Sequence, residues 1–371
     1  MIFITKIYIF VHSILSLQKK YFKIHTTLIV LCLAISYVIS SFAPSIVKDN
    51  FIVKIFYNPP KSYENRLDQN GIPLTYYGMI YDGKPIGSQR NPVSVAQQAN
   101  EFYDMYKKDN SESSKTYFLN NVNWLVNNAV KKENYSLLQY NFPIPYYNLK
   151  PVWYSAMANG LALQVLIKAP EISHDLKYLE AAKSLLNAFF IEVQHGGITY
   201  KDSEHEWWYE EYASNDKNAN ISRVLNGMIF AVLGIYDYYK FTNDPDAKLL
   251  FDNGVNSIKK ELSKYNNNGY SYYDILGNIA SWKYHQIHIN LTKQLHDLTG
   301  EPIFNNYHEL WKKHNNPSLP NIPLNIPQPS LKLFLTSTII LISFTEIILL
   351  ITLKIFNLKF IQTRKLVNKK K

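Results

Sequence analysis

Residues 222–263 read SRVLNGMIFAVLGIYDYYKFTNDPDAKLLFDNGVNSIKKELS. Apolar side chains recur here with helical spacing over 222–240 and again over 244–263, with a short link between the two runs. Asp244-Pro245 opens the second run with an N-capping side chain followed by the one residue whose missing N–H does no harm in a first helical turn. The same pattern continues in both directions, giving further helices at 93–107, 115–129, 152–168, 175–193, 286–299 and 302–314, with Gly300 closing the seventh and Glu301-Pro302 opening the eighth. The links after the first, third, fifth and seventh helices are short, whereas those after the second, fourth and sixth run to roughly twenty residues. This alternation predicts a mainly α fold, an α/α toroid-like domain of four helical hairpins. In an up-and-down array alternate connections share an end, so the three long loops are expected on one face, where function is usually placed.

Outside that domain the sequence predicts a short β or extended N-terminal arm over 48–92, with Asn70-Gly71 and Asp82-Gly83 as turn signals. Thr26 to Val47 carries no charged residue over 22 positions, and Leu333 to Leu353 is interrupted only by Glu346. Both are about the length a helix needs to cross a hydrocarbon core of ~30 Å. The expected organisation is thus an N-terminal segment 1–25, a transmembrane helix 26–47, the arm 48–92, the helical domain 93–314, a Pro-rich tether 315–332, a second transmembrane helix 333–353 and a basic tail 354–371. Lys19, Lys20 and Lys23 before the first span, and Lys354, Lys359, Arg364 and Lys365 after the second, place both termini in the cytoplasm by the positive-inside rule. The helical domain then lies outside the cytoplasm, at the cell exterior or in a Golgi or endoplasmic-reticulum lumen.

The net charge of +10 suggests a nucleic-acid binder until it is divided along the chain. Residues 48–330 carry 27 basic and 28 acidic side chains, so the excess belongs to the ends and no basic stripe for a phosphate backbone exists. The single cysteine, Cys32, lies in the first expected span, which leaves the outer domain to rely on its core rather than on disulfides.

The chemistry-bearing residues gather on the long loops. Residues 204–212, Glu-His-Glu-Trp-Trp-Tyr-Glu-Glu-Tyr, combine adjacent acids with aromatic rings. Aromatic faces stack on pyranose rings, while carboxylates and phenols transfer protons. Composition alone supports a solvated aromatic-capped loop equally well, since the chain has 29 tyrosines. His195, His205, His285 and His288 show no zinc-ligand spacing, Gly196-Gly197 is a turn rather than a phosphate loop, and no Gly-X-Ser-X-Gly is present.

Several blocks, in order, carry a resemblance. They are Asn91-Pro92 with Ala96-Gln97, Trp153 to Gly160, Gly196-Gly197-Ile198, Trp208-Tyr209-Glu210-Glu211-Tyr212, Val224-Leu225-Asn226-Gly227, Tyr273-Asp274 and Trp282 to Asn290. Over Asn91 to His314 the chain resembles the C-terminal catalytic domain of D-glucuronyl C5-epimerases. The resemblance implies inversion of C5 of glucuronate residues in a polysaccharide, with Glu211, Tyr212, Tyr273 and Tyr284 as the catalytic set. It further implies substrate contacts from Trp153, Tyr154, Trp208, Glu210, Asn226, His285, His288 and Asn290, with no metal ligands and no required cofactor. A structural divalent cation and a homodimer stay open. The expected partners are a uronate-containing polysaccharide and the bilayer, and not nucleic acid. The chain departs from the family pattern in lacking a basic residue after Tyr273-Asp274, where Ile275, Leu276 and Gly277 follow, and in the shortness of its N-terminal arm.

Inverting C5 needs two proton-transfer groups, one on each face of the ring, and donors for the sugar carboxylate as charge builds on it. Glu211 and Tyr284 are expected on opposite faces, with Tyr212 and Tyr273 donating to the carboxylate or relaying protons. Exchanging Tyr212 and Tyr284 fits the sequence equally. A uronate polysaccharide lyase would share the first step, a glycosidase would need two flanking carboxylates, and a membrane glycan-binding protein would need none of this chemistry.

Overall fold

The structure, a computed structural model, describes residues 22–46, 65–314 and 337–349. The chain falls into two units, Met1–Tyr57 with Asn316–Lys371, and Asn58–Asn315. In the first, Phe22–Ile46 forms helix α1 and 337–349 is also helical. Among the described residues no helix is long and apolar enough to cross a membrane. The spans expected at 26–47 and 333–353 are therefore not shown, and residues 1–21, the tether and the basic tail lie outside the described residues.

The second unit opens with an antiparallel three-stranded sheet in which β1 (Asn65–Leu67) pairs with β2 (Pro73–Tyr81), and β2 with β3 (Lys84–Gln89). Asp82 and Gly83 both take positive φ at the β2–β3 turn, the two-residue geometry whose twist matches that of the flanking strands. The expected arm is thus a small sheet over its described part.

Eight main helices follow, each near its predicted place. They are α2 (Pro92–Asp109), α3 (Glu112–Asn128), α4 (Ala156–Leu166), α6 (Lys177–Asn187), α7 (Leu225–Thr242), α8 (Pro245–Glu261), α9 (Trp282–Thr299) and α10 (Pro302–Lys313), with the one-turn α5 (Ala169–Ser173) between α4 and α6. Local capping fixes their ends. Asn91, Ser111, Ser155, Asp244 and Ser281 each accept a backbone N–H of the first turn, while left-handed Asn110, Asn243 and Gly300 end α2, α7 and α9. Three boundaries differ from the periodicity by four residues or more. The third helix starts at Ala156 because Trp153–Tyr154 is a strand, the fourth ends at Asn187 in 3₁₀ turns, and the seventh begins four residues early because Ser281 caps it.

Packing sorts the helices into two rows. α2, α4, α7 and α9 follow one another through the interior, and each packs on its hairpin partner, α3, α6, α8 or α10. The centre is the crossing of α4 and α7, where Gly160 faces Ala231 and Gly234 faces the backbone of Gly160. With no Cβ at 160 or 234 the two backbones touch, and the surrounding Leu161, Leu163, Val232 and Ile235 are buried.

The three long connections are more ordered than the sequence suggests. Residues 129–155 hold β4 (Ala129–Lys131), β5 (Ser136–Tyr140) and β6 (Trp153–Tyr154) in one antiparallel sheet. Residues 188–224 hold the hairpin of β7 (Thr199–Ser203) and β8 (Glu206–Tyr209), and residues 262–281 the pair β9 (Asn266–Asn267) and β10 (Tyr270–Ser271). These strands span two to five residues, too short to show a period-2 pattern.

A Cβ at position 234 would overlap the Gly160 carbonyl oxygen. Gly234→Ala is expected to destabilise the fold by about 1–3 kcal/mol through overpacking, read from the midpoint of denaturant unfolding, whereas Gly277→Ala, with open space around it, is expected to show only its local backbone strain.

Candidate active site

Backbone hydrogen bonds sew the three long loops together. Tyr154 and Ala213 exchange N–H to carbonyl bonds of 2.9 Å, and the Ala156 N–H donates to the Glu210 carbonyl at 2.9 Å. The Asn220 N–H donates to Tyr147, the Ile275 N–H to Ser222, and the Leu225 N–H to Tyr273. The first loop thus meets the second, and the second meets the third, at the N-terminal ends of α4 and α7.

The two adjacent glutamates face different surroundings. Glu210 is wholly buried, and its carboxylate accepts from the Ser222 hydroxyl (2.6 Å), the Arg223 N–H (3.1 Å) and the Tyr212 N–H (3.3 Å). It holds the chain where Arg223 turns into the left-handed region, and so braces the loop from behind. Glu211 points the other way. Its Oε2 is buried with no hydrogen-bond partner and lies against the first turn of α7, at Gly227, where a Cβ would strike it. Burial first, and the like charge of Glu210 second, push its pKa up to about 8, with the Tyr212 hydroxyl pulling slightly the other way. A carboxyl in that range holds and releases a proton near neutrality.

Phenols surround it. Tyr212 follows Glu211 directly, its ring 4.9 Å from Tyr147 and 5.3 Å from Trp153. The rings of Tyr273 and Tyr284 meet edge-on at 4.7 Å. Tyr212 and Tyr273 each lie within electrostatic reach of the other, of Glu211 and of Tyr284. Burial, reinforced by Glu211 and by neighbouring phenols, raises Tyr212 and Tyr273 well above the ordinary tyrosine value, so both are proton donors. Tyr147 donates to Asp274 at 2.7 Å, and Asp274 also accepts from the Leu276 N–H and the Asn278 side chain.

Of the expected substrate contacts, the structure brings Trp153 and Asn226 to this cluster. Trp153 stacks on Tyr140 at 3.8 Å and donates to the Phe142 carbonyl, while Asn226 stands in the first turn of α7 with its Oδ1 buried and without a partner. The half-buried Tyr154 is tied by its backbone to Ala213. Other expected residues are engaged within the chain or lie outside this cluster. Trp208 is fully buried against Tyr265, and Glu210 is engaged as above. His285 and His288 are fully buried and share Ser271, whose hydroxyl lies 2.9 and 2.8 Å from their Nδ1 atoms. The Ser271 N–H donates to His285 Nδ1, so His285 Nε2 carries the proton and donates to the Trp311 carbonyl. Burial lowers them to about 4 and about 3, and the pair stays neutral behind β10, next to Tyr273 in sequence. Asn290 is exposed, six residues beyond Tyr284 and hence about 240° around α9 at 100° per residue.

Sequence reasoning did not place Tyr77, Asn91, Tyr140 or Tyr147 beside the site. Tyr140 and Tyr147 stood on a long loop, which was a usable signal, but Tyr77 comes from the arm and nothing local marks it. Among the described residues no group of three or more His, Cys, Asp or Glu could hold a metal ion.

Residues 132–313 match the family model of the D-glucuronyl C5-epimerase C-terminus. An uncharacterised protein of Methanocaldococcus jannaschii, MJ1128, is 33% identical over 303 residues, covering 76% of this chain and 95% of that protein. The D-glucuronyl C5-epimerase of Caenorhabditis elegans is 30% identical over 210 residues, covering 51% of this chain and 33% of the worm protein. A solved cellobiose 2-epimerase from Bacillus thermoamylovorans aligns at a TM-score of 0.48 and 13% identity, covering 77% of this chain and 74% of that one. The chain belongs to the family of MJ1128, and its residues 132–313 are similar to the D-glucuronyl C5-epimerase C-terminus.

Because Glu211 titrates at about 8 when folded and at 4.5 ordinarily, the folded protein binds more protons than the unfolded chain between those values. Its contribution to stability is therefore present at low pH and lost as pH rises through the window. Glu211→Gln is expected to flatten the fall in unfolding midpoint between pH 5 and pH 8, and an unchanged slope would remove Glu211 as its source.

Proposed function

We propose that this member of the family is a carbohydrate epimerase that inverts C5 of uronate residues within a polysaccharide. The observation that carries the reading is the buried Glu211 carboxyl, raised to about 8 and set among Tyr212, Tyr273 and Tyr284 where the long loops meet. Proton abstraction next to a carboxylate needs a base whose pKa lies near the working pH, and an ordinary glutamate is too weak.

In the forward direction the Glu211 carboxylate takes the C5 proton. The electron pair of the C–H bond moves into the uronate carboxylate, which becomes enediolate-like. Tyr212 and Tyr273, held protonated by burial, donate hydrogen bonds to the oxygens where that charge collects. Tyr284, half-buried at the first turn of α9, returns a proton to the opposite face of C5. Its phenolate then recovers a proton from solvent, and Glu211 gives up the one it took. In the reverse direction the two exchange roles.

Two cations of the long loops are already paired, Arg223 with Asp202 at 2.6 Å and Lys150 with Asp216 at 3.5 Å. With the near neutrality of residues 48–330, this suits a sparsely charged uronate polymer better than a heavily sulfated one.

The test is nuclear magnetic resonance of a glucuronate polymer incubated with the protein in deuterated water. Deuterium at C5 with appearance of the inverted sugar is expected, and Glu211→Gln and Tyr284→Phe are each expected to slow incorporation by ~10² to 10⁴. An unsaturated product absorbing in the ultraviolet would replace the epimerase by a lyase. Intact glycan binding without exchange would replace both by a binding protein.

A further inference from the structure

His285 and His288 are joined to Ser271 by contacts that one placement of protons satisfies throughout. The Ser271 N–H donates to His285 Nδ1 at 3.2 Å, so that nitrogen carries no proton and also accepts the Ser271 hydroxyl, 2.9 Å away. The hydroxyl oxygen is left to accept, and His288 Nδ1 donates to it at 2.8 Å. His285 Nε2 donates to the Trp311 carbonyl at 3.2 Å, and the atom buried without a partner is the unprotonated His288 Nε2. With the Ser271 hydroxyl donating to His288 instead, two lone pairs would face each other at His285 and an N–H at His288 would lack an acceptor. The hydrogen bonds therefore run in one direction, from His288 through Ser271 to His285.

This chain of bonds ties together the two elements that carry Tyr273 and Tyr284. Ser271 lies on β10 two residues before Tyr273, and its carbonyl accepts from the Ala280 N–H at 3.0 Å. His285 follows Tyr284 directly in the first turn of α9, with the Tyr270 ring stacked on it at 3.8 Å. Across the join the rings of Tyr273 and Tyr284 meet at 4.7 Å. On its other side the third loop is bonded to the start of α7, where the Leu225 N–H donates to the Tyr273 carbonyl. The backbone thus fastens Tyr273 to α7, and Ser271 fastens it to α9.

We infer that Ser271, His285 and His288 form a positioning clamp that sets the gap between Tyr273, the phenol assigned to the uronate carboxylate, and Tyr284, the phenol assigned to C5. All three are fully buried and act through the two tyrosines rather than on the sugar. The two phenols must reach different atoms of one sugar residue, and a misplacement of about 1 Å in such a pair costs up to ~10²-fold in rate. The effect on rate rests on the proposed function, whereas the geometry is read without turnover.

His288 supplies the discriminating pair of variants. His288→Asn keeps an N–H donor near the place of Nδ1 and gives up only the unpartnered Nε2, whereas His288→Leu removes the donor. Ser271→Ala removes the hydroxyl between the rings. Two measurements are made on the full chain. The first is the nuclear Overhauser effect between the rings of Tyr273 and Tyr284, assigned with Tyr273→Phe and Tyr284→Phe. It is expected to weaken in His288→Leu and Ser271→Ala and to be restored in His288→Asn. The second is C5 exchange, for which His288→Leu and Ser271→Ala are expected to lose roughly 10-fold or more in kcat with KM little changed, and His288→Asn to recover most of that loss. A merely structural role would lower the unfolding midpoint and leave the Overhauser contact and kcat of the folded protein unchanged, which overturns the inference, as do equal losses in His288→Asn and His288→Leu. A wild-type protein that performs no exchange, but whose Overhauser contact follows the variants as described, overturns the proposed reaction and leaves the clamp standing.

Discussion

A carboxyl group pressed against a helix with no side chain between them is the constraint on which the site depends. Glu211 reaches the first turn of α7 only because residue 227 is glycine, and α7 is held there by its crossing with α4 at Gly160 and Gly234. The positive end of the helix favours the ionised carboxylate, while burial and Glu210 oppose it. Burial and Glu210 prevail, and the carboxyl is raised rather than lowered. The balance keeps the group close to neutrality, where a small change in a ligand's charge suffices to move its proton.

The polar groups around it divide into those that hold and those that are held back for chemistry. Glu210, Asp274 and Ser271 have their hydrogen bonds filled by the chain itself, at Ser222 and Arg223, at Tyr147 and Asn278, and at the two histidines. Glu211 Oε2 and Asn226 Oδ1 remain buried without a partner beside the phenols. An unsatisfied buried oxygen is costly, and natural folds keep few of them. Two such oxygens in neighbouring elements mark the place where a bound molecule would complete the network.

Helix positions were legible in the sequence because spacing, caps and Pro or Gly punctuation agreed over long runs, as at Asp244-Pro245 and Gly300. Placing the long loops on one face followed from their lengths alone, and Glu211, Tyr212, Tyr273 and Tyr284 do come together. What escaped reading was finer. Adjacent Glu210 and Glu211 look alike in sequence, yet a turn of the chain after β8 sends one inward to Ser222 and the other to Gly227. His285 and His288 lie in the block Trp282 to Asn290, whose resemblance suggested contact with substrate, but their i, i+3 spacing turns both onto the core side of α9, toward Trp311. Tyr77 and Tyr140 both bond to Asn91, a link between residues up to 63 positions apart that no local pattern encodes.

The sharing of Ser271 by two neutral imidazoles has a thermodynamic corollary. Histidines that stay unprotonated to about 4 and about 3 when buried take up protons near 6.5 once released, so acid draws the protein toward its unfolded ensemble as pH drops below that value. Glu211 pulls the same way from the alkaline side. The scaffold is thus hemmed between two opposing proton inventories, and its greatest resistance to melting should fall in mildly acidic solution rather than at its isoelectric point.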